Sequence, residues 1–161
     1  MSQPPHPAKM HVTDLALNKA LGMSLAPAGQ VQGHVLEMPE TPLLLNHVGT
    51  IHASAQFALA EASSGEFLIA QVGNLQPPVF AVLRTSEVKF RKPAHGTLRA
   101  SARFTEGDIE SLASELKSRG RALASVLVDV ADLNGVVTMS GQFDWFLQSP
   151  PQSDAAMPVK N

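Results

Sequence analysis

The sequence predicts an α+β fold in which one curved antiparallel sheet wraps a single apolar helix. Two observations carry that prediction. A helical stretch from Ala53 to about Ala70 is small and apolar almost all round, with Ala at 53, 55, 58, 60 and 62 and Gly at 65, and a helix apolar on every side needs burial on every side. Four strand-like segments then follow it with apolar residues at alternate positions. A curved sheet can supply most of the burial that such a helix requires.

The elements follow in order. Residues 1–8 are Pro-rich and are expected to be disordered, as is the tail 148–161, where Ser149-Pro150-Pro151-Gln152-Ser153 opposes regular structure. A single domain is expected over 9–147, with no linker and no repeat inside it. Asp14 to Leu21 reads as a short helix, with Thr13 or Asp14 as N-cap and Gly22 past its end. A first strand is expected from Gln30 to Met38, with Val31, Gly33 and Val35 on one face against Gln32, His34 and Leu36, before Pro39 and Pro42 break it. After the long helix come strands over Val79–Arg91, Gly96–Thr105, Arg121–Asp132 and Val136–Leu147, the last two joined through Leu133-Asn134-Gly135. Between the second and third of these, Ile109, Leu112, Ala113 and Leu116 fall at helical spacing, with Gly120 as a stop.

Composition narrows the function classes. With 161 residues and 44% hydrophobic content, the chain can bury roughly two-thirds of its unfolded surface. A net charge of −2 gives no electrostatic footprint for nucleic acid. The absence of cysteine excludes disulfides, thiolate metal sites and cysteine nucleophiles, and fits a cytoplasmic protein. The N-terminus lacks the pattern of a signal peptide, and no window approaches the ~18 apolar residues of a membrane helix. A soluble cytoplasmic protein with no membrane partner is expected.

One segment stands apart from this background. Asn46-His47-Val48-Gly49-Thr50-Ile51-His52-Ala53 places an amide, two imidazoles and a turn-forming Gly at the mouth of the apolar helix, and Glu61 reads as a lone carboxylate farther in. Burying an unpaired charge is expensive or shifts its pKa, so such a group asks for a reason. On a helix Glu61 shares a side with Phe57, Ser64 and Leu68, which puts it in an apolar setting where its pKa would rise.

Those residues resemble the hotdog-fold acyl-CoA thioesterases, particularly the phenylacetyl-CoA type. In that family a motif Asn-x-x-Gly-Thr-x-His-Gly-Gly opens the central helix, and an acidic residue lies nine positions after the His. Asn46, Gly49, Thr50 and His52 match by type and spacing, and Glu61 takes the acidic position. A second stretch, Val88-Lys89-Phe90-Arg91-Lys92-Pro93-Ala94-His95-Gly96-Thr97-Leu98, is similar to the family's strand-to-strand corner. The likeness spans about residues 30 to 147, with Ala53-Ser54 in place of Gly-Gly and Glu61 in place of Asp. A branch of small bacterial hotdog proteins is similar in reading His-Ala and then Leu-Ala-Glu.

The resemblance implies a hotdog fold and hydrolysis of an acyl-CoA or other acyl thioester to free acid and thiol, with CoA entering only as part of the substrate. Glu61 would be the general base on water, or alternatively a nucleophile forming a mixed anhydride. The Ala53 N–H would donate to the oxyanion, Asn46 would orient the water and His52 would lie beside the carbonyl. Gly49, Thr50 and Phe57 would shape the substrate site, Thr85 and Ser86 would contribute polar contacts from the partner's strand, and Leu83 aligns with a position that is sometimes Ser. Arg91 and Lys92 would meet CoA phosphates. The family also implies a homodimer, or a homotetramer built as a dimer of dimers, with sites between subunits.

Plainer roles stand beside these. Glu61 could pair with Arg84 or Lys89 across an interface, His52 could be a simple helix-start residue with Thr50 as N-cap, and Asn46 could order the Gly49 turn. Arg91 and Lys92 could simply be solvated. Metal binding by His47 and His52 is disfavoured by their five-residue step and the lack of further ligands. Two competing functions remain: a non-catalytic acyl-CoA or fatty-acyl binding module, and a hydroxyacyl-thioester dehydratase using His47 and Glu61. The dehydratase pattern also asks for Gly-x-Pro-x-x-Pro-Gly between them, which this chain lacks.

Overall fold

The computed structural model describes residues 11–27, 33–75, 79–105, 107 and 109–149. Its elements are a 3-10 turn (Val12–Asp14), α1 (Ala16–Ala20), β1 (Ser24–Leu25), β2 (His34–Met38), a second 3-10 turn (Pro42–Leu44), α2 (Ala53–Val72), β3 (Phe80–Phe90), β4 (Leu98–Phe104), α3 (Ile109–Arg119), β5 (Arg121–Asp132) and β6 (Val137–Gln148). All strands pair antiparallel in the order β1-β2-β4-β5-β6-β3. Helix α2 packs across β2, β4 and β5, so one face of the sheet closes over it. This is the hotdog arrangement that the element order predicts. None of the described helices is long and apolar enough to cross a membrane.

Alternation builds the core. Leu98, Ala100 and Ala102 of β4, Ala122, Ala124, Val126, Val128 and Val130 of β5, and Met139, Phe143 and Leu147 of β6 are buried on the face toward α2. The helix answers with Ala55, Leu59, Ala60, Ala62 and Leu68, small side chains that let it lie close to the strands. Helix α3 buries Leu112 and Leu116 against the far end of α2, reached through Leu68 and Val72.

Four expectations need correction. In β2 the buried residues are Leu36 and Met38, not the Val31-Gly33-Val35 set, because the register shifts between His34 and Leu36 and reverses the pleat beyond it; Val31 itself lies outside the described residues. The first helix is split, Leu15 being extended between the 3-10 turn and α1. Strand β1 was not foreseen, since two residues leave no periodic pattern. Gln148 is the last residue of β6 and the Ser149 N–H bonds Gly120 O at 2.9 Å, so the ordered chain passes the expected boundary. Residues 1–8 and 150–161 lie outside the described residues.

Among the described residues, strand β3 forms one edge of the sheet and pairs only with β6. Between Leu83 and Thr85 its register shifts by one residue. This bulge decides which side chains of β3 reach the helix side of the sheet.

Candidate active site

The turn before α2 is built by Asn46. Its Oδ1 accepts the N–H groups of Val48 (3.0 Å) and Thr50 (3.1 Å), and its Nδ2 donates to Thr50 Oγ1 at 2.8 Å. Its backbone N–H reaches Thr50 O at 2.8 Å. Gly49, with φ +77°, supplies the left-handed residue that closes this loop. Asn46 is therefore an Asx-turn residue, its amide oxygen fully engaged and one Nδ2 hydrogen left over. His47, Val48 and Gly49 at the tip are exposed.

The chain then enters α2 under close control. Ile51 N–H donates to Ala94 O at 2.9 Å and His52 N–H to Leu44 O at 2.7 Å. Ala94 belongs to the second family-like stretch, so the two motifs meet here. His52, not Thr50, is the N-cap: its Nδ1 accepts the Ser54 N–H at 3.1 Å and lies 2.7 Å from Ser54 Oγ. Nδ1 must accept from that backbone N–H, which leaves the ring proton on Nε2. His52 O accepts from the N–H groups of Ala55 (3.0 Å) and Gln56 (3.1 Å). Of the first-turn donors only the exposed Ala53 N–H has no partner among the described residues. It sits at the positive end of a 20-residue helix, ready for an anion.

Glu61 lies half-buried on α2, and its carboxylate has no hydrogen bond or ion pair among the described residues. Burial pushes its carboxyl above the ordinary carboxylate range. Its backbone is tied to the sheet: Glu61 O accepts from Ser64 Oγ at 2.7 Å, and Ser64 Oγ accepts the Trp145 indole N–H at 3.0 Å. Gly65 allows this approach, since a Cβ there would lie 3.3 Å from Trp145 Cη2. One turn toward the N-terminus from Glu61, Phe57 packs on Phe143 with ring centroids 5.8 Å apart. Ala53 and Glu61 themselves are eight residues apart, about 12 Å along the axis, so one chain does not bring both to a single carbonyl.

Thr85 and Ser86, adjacent on β3, face opposite sides of the sheet, and the bulge before them decides which one faces the helix. Ser86 pairs with Phe143 and shares its face, toward the helix; Thr85 pairs with Asp144 and turns to the outer face. Leu83, opposite Trp145, lies on the helix side. Arg84 places its guanidinium 4.8 Å from the centre of the Phe146 ring. Arg91 donates through Nε to Ser140 Oγ at 2.9 Å, joining the outer-face set of Ser140, Asp129 and Arg103, while Lys92 is exposed. Burial works to raise Asp129, but its bonds to Ser140 and Arg103 outweigh it and hold the carboxyl low. No three His, Asp or Glu side chains gather to hold a metal among the described residues.

Glu61 is not the helix's only carboxylate. Glu66, 8% exposed, accepts the Val12 N–H at 3.0 Å and lies 2.6 Å from His11 Nδ1. Sequence reasoning passed it over; the Glu66 letter in an apolar run was the available signal.

Comparison with known proteins agrees with this architecture. A Pseudomonas aeruginosa protein of unknown function, described as a probable thioesterase, aligns at 27% identity over 86% of this chain and 91% of its own, with a TM-score of 0.71. A Bacillus halodurans protein solved with CoA is 18% identical over 81% of this chain and 74% of its own, at a TM-score of 0.63. A Haemophilus influenzae thioesterase is 14% identical over 89% and 90%, at 0.67. These neighbours share the hotdog fold of this chain. No curated protein sequence matches it. Residues 29–147 match the model of a domain of unknown function, DUF4442, and the chain belongs to that family.

Proposed function

We propose that this chain hydrolyses an acyl thioester, with acyl-CoA as the substrate class. The observation that carries the reading is the coexistence on α2 of one unpartnered first-turn N–H, Ala53, and one unpartnered half-buried carboxylate, Glu61. Thioester hydrolysis asks for these two things: a donor where negative charge develops, and a base with a pKa raised toward neutrality.

The 12 Å step between them is resolved by pairing two copies. Edge strand β3 has no neighbour on its outer side among the described residues, and two such edges can join into one sheet. A two-fold axis there sets the two α2 helices antiparallel, so that Ala53 of one protomer comes beside Glu61 of the partner subunit. Glu61 takes a proton from water, and the water oxygen attacks the carbonyl carbon. The Ala53 N–H holds the tetrahedral oxyanion, a donor worth about 3 kcal/mol. Collapse breaks the C–S bond and the thiolate leaves with the proton from Glu61. Asn46 keeps one Nδ2 hydrogen to orient the water, His52 frames the carbonyl, and Ser86 rather than Thr85 faces the site.

Following thiol release across acyl-CoAs of graded chain length and aryl-CoAs is the direct experiment. Hydrolysis that disappears in Glu61→Gln while binding survives is the expected result. Binding without hydrolysis in the unaltered protein would make it an acyl-CoA binding module. Formation of an enoyl thioester, lost in His47→Ala, would make it a dehydratase.

A further inference from the structure

Gln56 stands out in the interior. It is 4% exposed, and its Oε1 is buried with no hydrogen-bond partner among the described residues. A buried amide oxygen left unpaired is destabilising, and an apolar side chain between Ala55, Leu59 and Ala60 would fill the same slot without that burden. Packing alone therefore does not account for an amide at this position.

Its other contacts do. The Gln56 side chain donates through Nε2 to Ile51 O at 3.3 Å, and the Gln56 backbone N–H donates to His52 O at 3.1 Å. One residue thus grips two successive carbonyls, that of Ile51 and that of His52. The N–H groups of Ile51 and His52 are already held by Ala94 O and Leu44 O. Every backbone hydrogen-bonding group of residues 51 and 52 is engaged, and the next donor along the chain is the free Ala53 N–H. We propose that Gln56 is a positioning residue that fixes the Ile51-His52-Ala53 backbone so that the Ala53 N–H points steadily at the developing oxyanion. It is too buried to touch substrate and acts through the peptide it holds. An oxyanion donor is effective because it needs no reorganisation, and a shift of about an ångström can cost on the order of 10²-fold in rate. The inference rests on the thioesterase reading.

The test uses the full-length protein with Gln56→Met and Gln56→Glu. Gln56→Met should fold with an unchanged or higher melting temperature, keep KM within about threefold and lose about tenfold or more in kcat. The kcat of Gln56→Glu, taken as a ratio to that of the unaltered protein at the same pH, should rise as pH falls, because the protonated acid can again donate to Ile51 O and the carboxylate cannot. A second measurement needs no turnover. A ketone analogue of an acyl-CoA, with CH2 in place of sulfur, should shift the Ala53 amide resonance downfield in the unaltered protein and markedly less in Gln56→Met. Unchanged kcat and an unchanged Ala53 shift would overturn the proposal. So would a fall in kcat matched by loss of melting temperature and a rise in KM, or an Ala53 amide indifferent to the ketone in the unaltered protein. If the unaltered protein hydrolyses no thioester, the thioesterase reading fails, and the Ala53 resonance still decides the role of Gln56.

Discussion

Glu61 and Glu66 sit five positions apart on α2 and are treated in opposite ways. Glu66 is the more buried, yet both its oxygens are answered, one by His11 and one by the Val12 N–H. Glu61 is half-buried, answered by nothing among the described residues, and its carboxyl is raised by burial. The fold satisfies the carboxylate that ties down its N-terminal segment and leaves without a partner the one proposed as the general base. A charge kept in an apolar setting without a partner is a candidate for chemistry; a charge buried deeper with partners is a fastening.

Exchanging each for Gln separates the two roles, and the largest effect is expected at the bare one. Glu61→Gln should lower kcat by about 10² to 10⁴ while stability holds or rises, because removing a general base takes that much and no contact is lost. Steady-state thiol release beside a urea titration checks both halves. Glu66→Gln should do the reverse, costing about 2 kcal/mol of stability, several degrees in melting temperature, with kcat within about threefold. If Glu66→Gln silenced the enzyme in its folded form, the contrast would collapse.

Smaller effects sharpen the picture. Trp145→Phe removes the indole donor to Ser64 and opens space beside Gly65, so it should cost about 1 to 2 kcal/mol and lower kcat only a few-fold. The smallest signal is a pH slope. Because the folded-state pKa of Glu61 is raised, the folded protein binds that proton more tightly than the unfolded chain. The stabilising contribution is therefore present at pH below the ordinary carboxylate value and is lost as pH rises through the raised one. Activity should rise over the same window as the base ionises. Denaturation midpoints and rates across pH 4 to 8 (about four units, spanning the titration of a raised carboxylate) should both lose these slopes in Glu61→Gln.

The comparison also explains what the sequence made legible. The extent of α2 was readable because Ala and apolar residues on every side allow only a buried helix, and strands β4 to β6 were readable because their alternation is unbroken. Where alternation breaks, local reading fails: the register shift in β2 put Leu36 inside in place of Val35's set, and the bulge at Arg84 turned Ser86 rather than Thr85 toward the helix. The turn motif placed Asn46, Gly49, Thr50, His52 and Ala53 together, but His52 rather than Thr50 caps the helix, a choice set by the backbone around residue 52. Glu66 was missed for a different reason. Its partner His11 is 55 residues away in sequence, and no helical pattern announces a distant partner.

Trp145 offers a way to watch the site. The sequence contains one Trp and no Tyr, so emission excited at the red edge of the indole band, where Phe does not absorb, comes from this side chain alone. Through Ser64 it is one hydroxyl away from the backbone of Glu61. The molecule carries its own optical gauge, and quenching or a spectral shift on adding an acyl-CoA would report occupancy without any label.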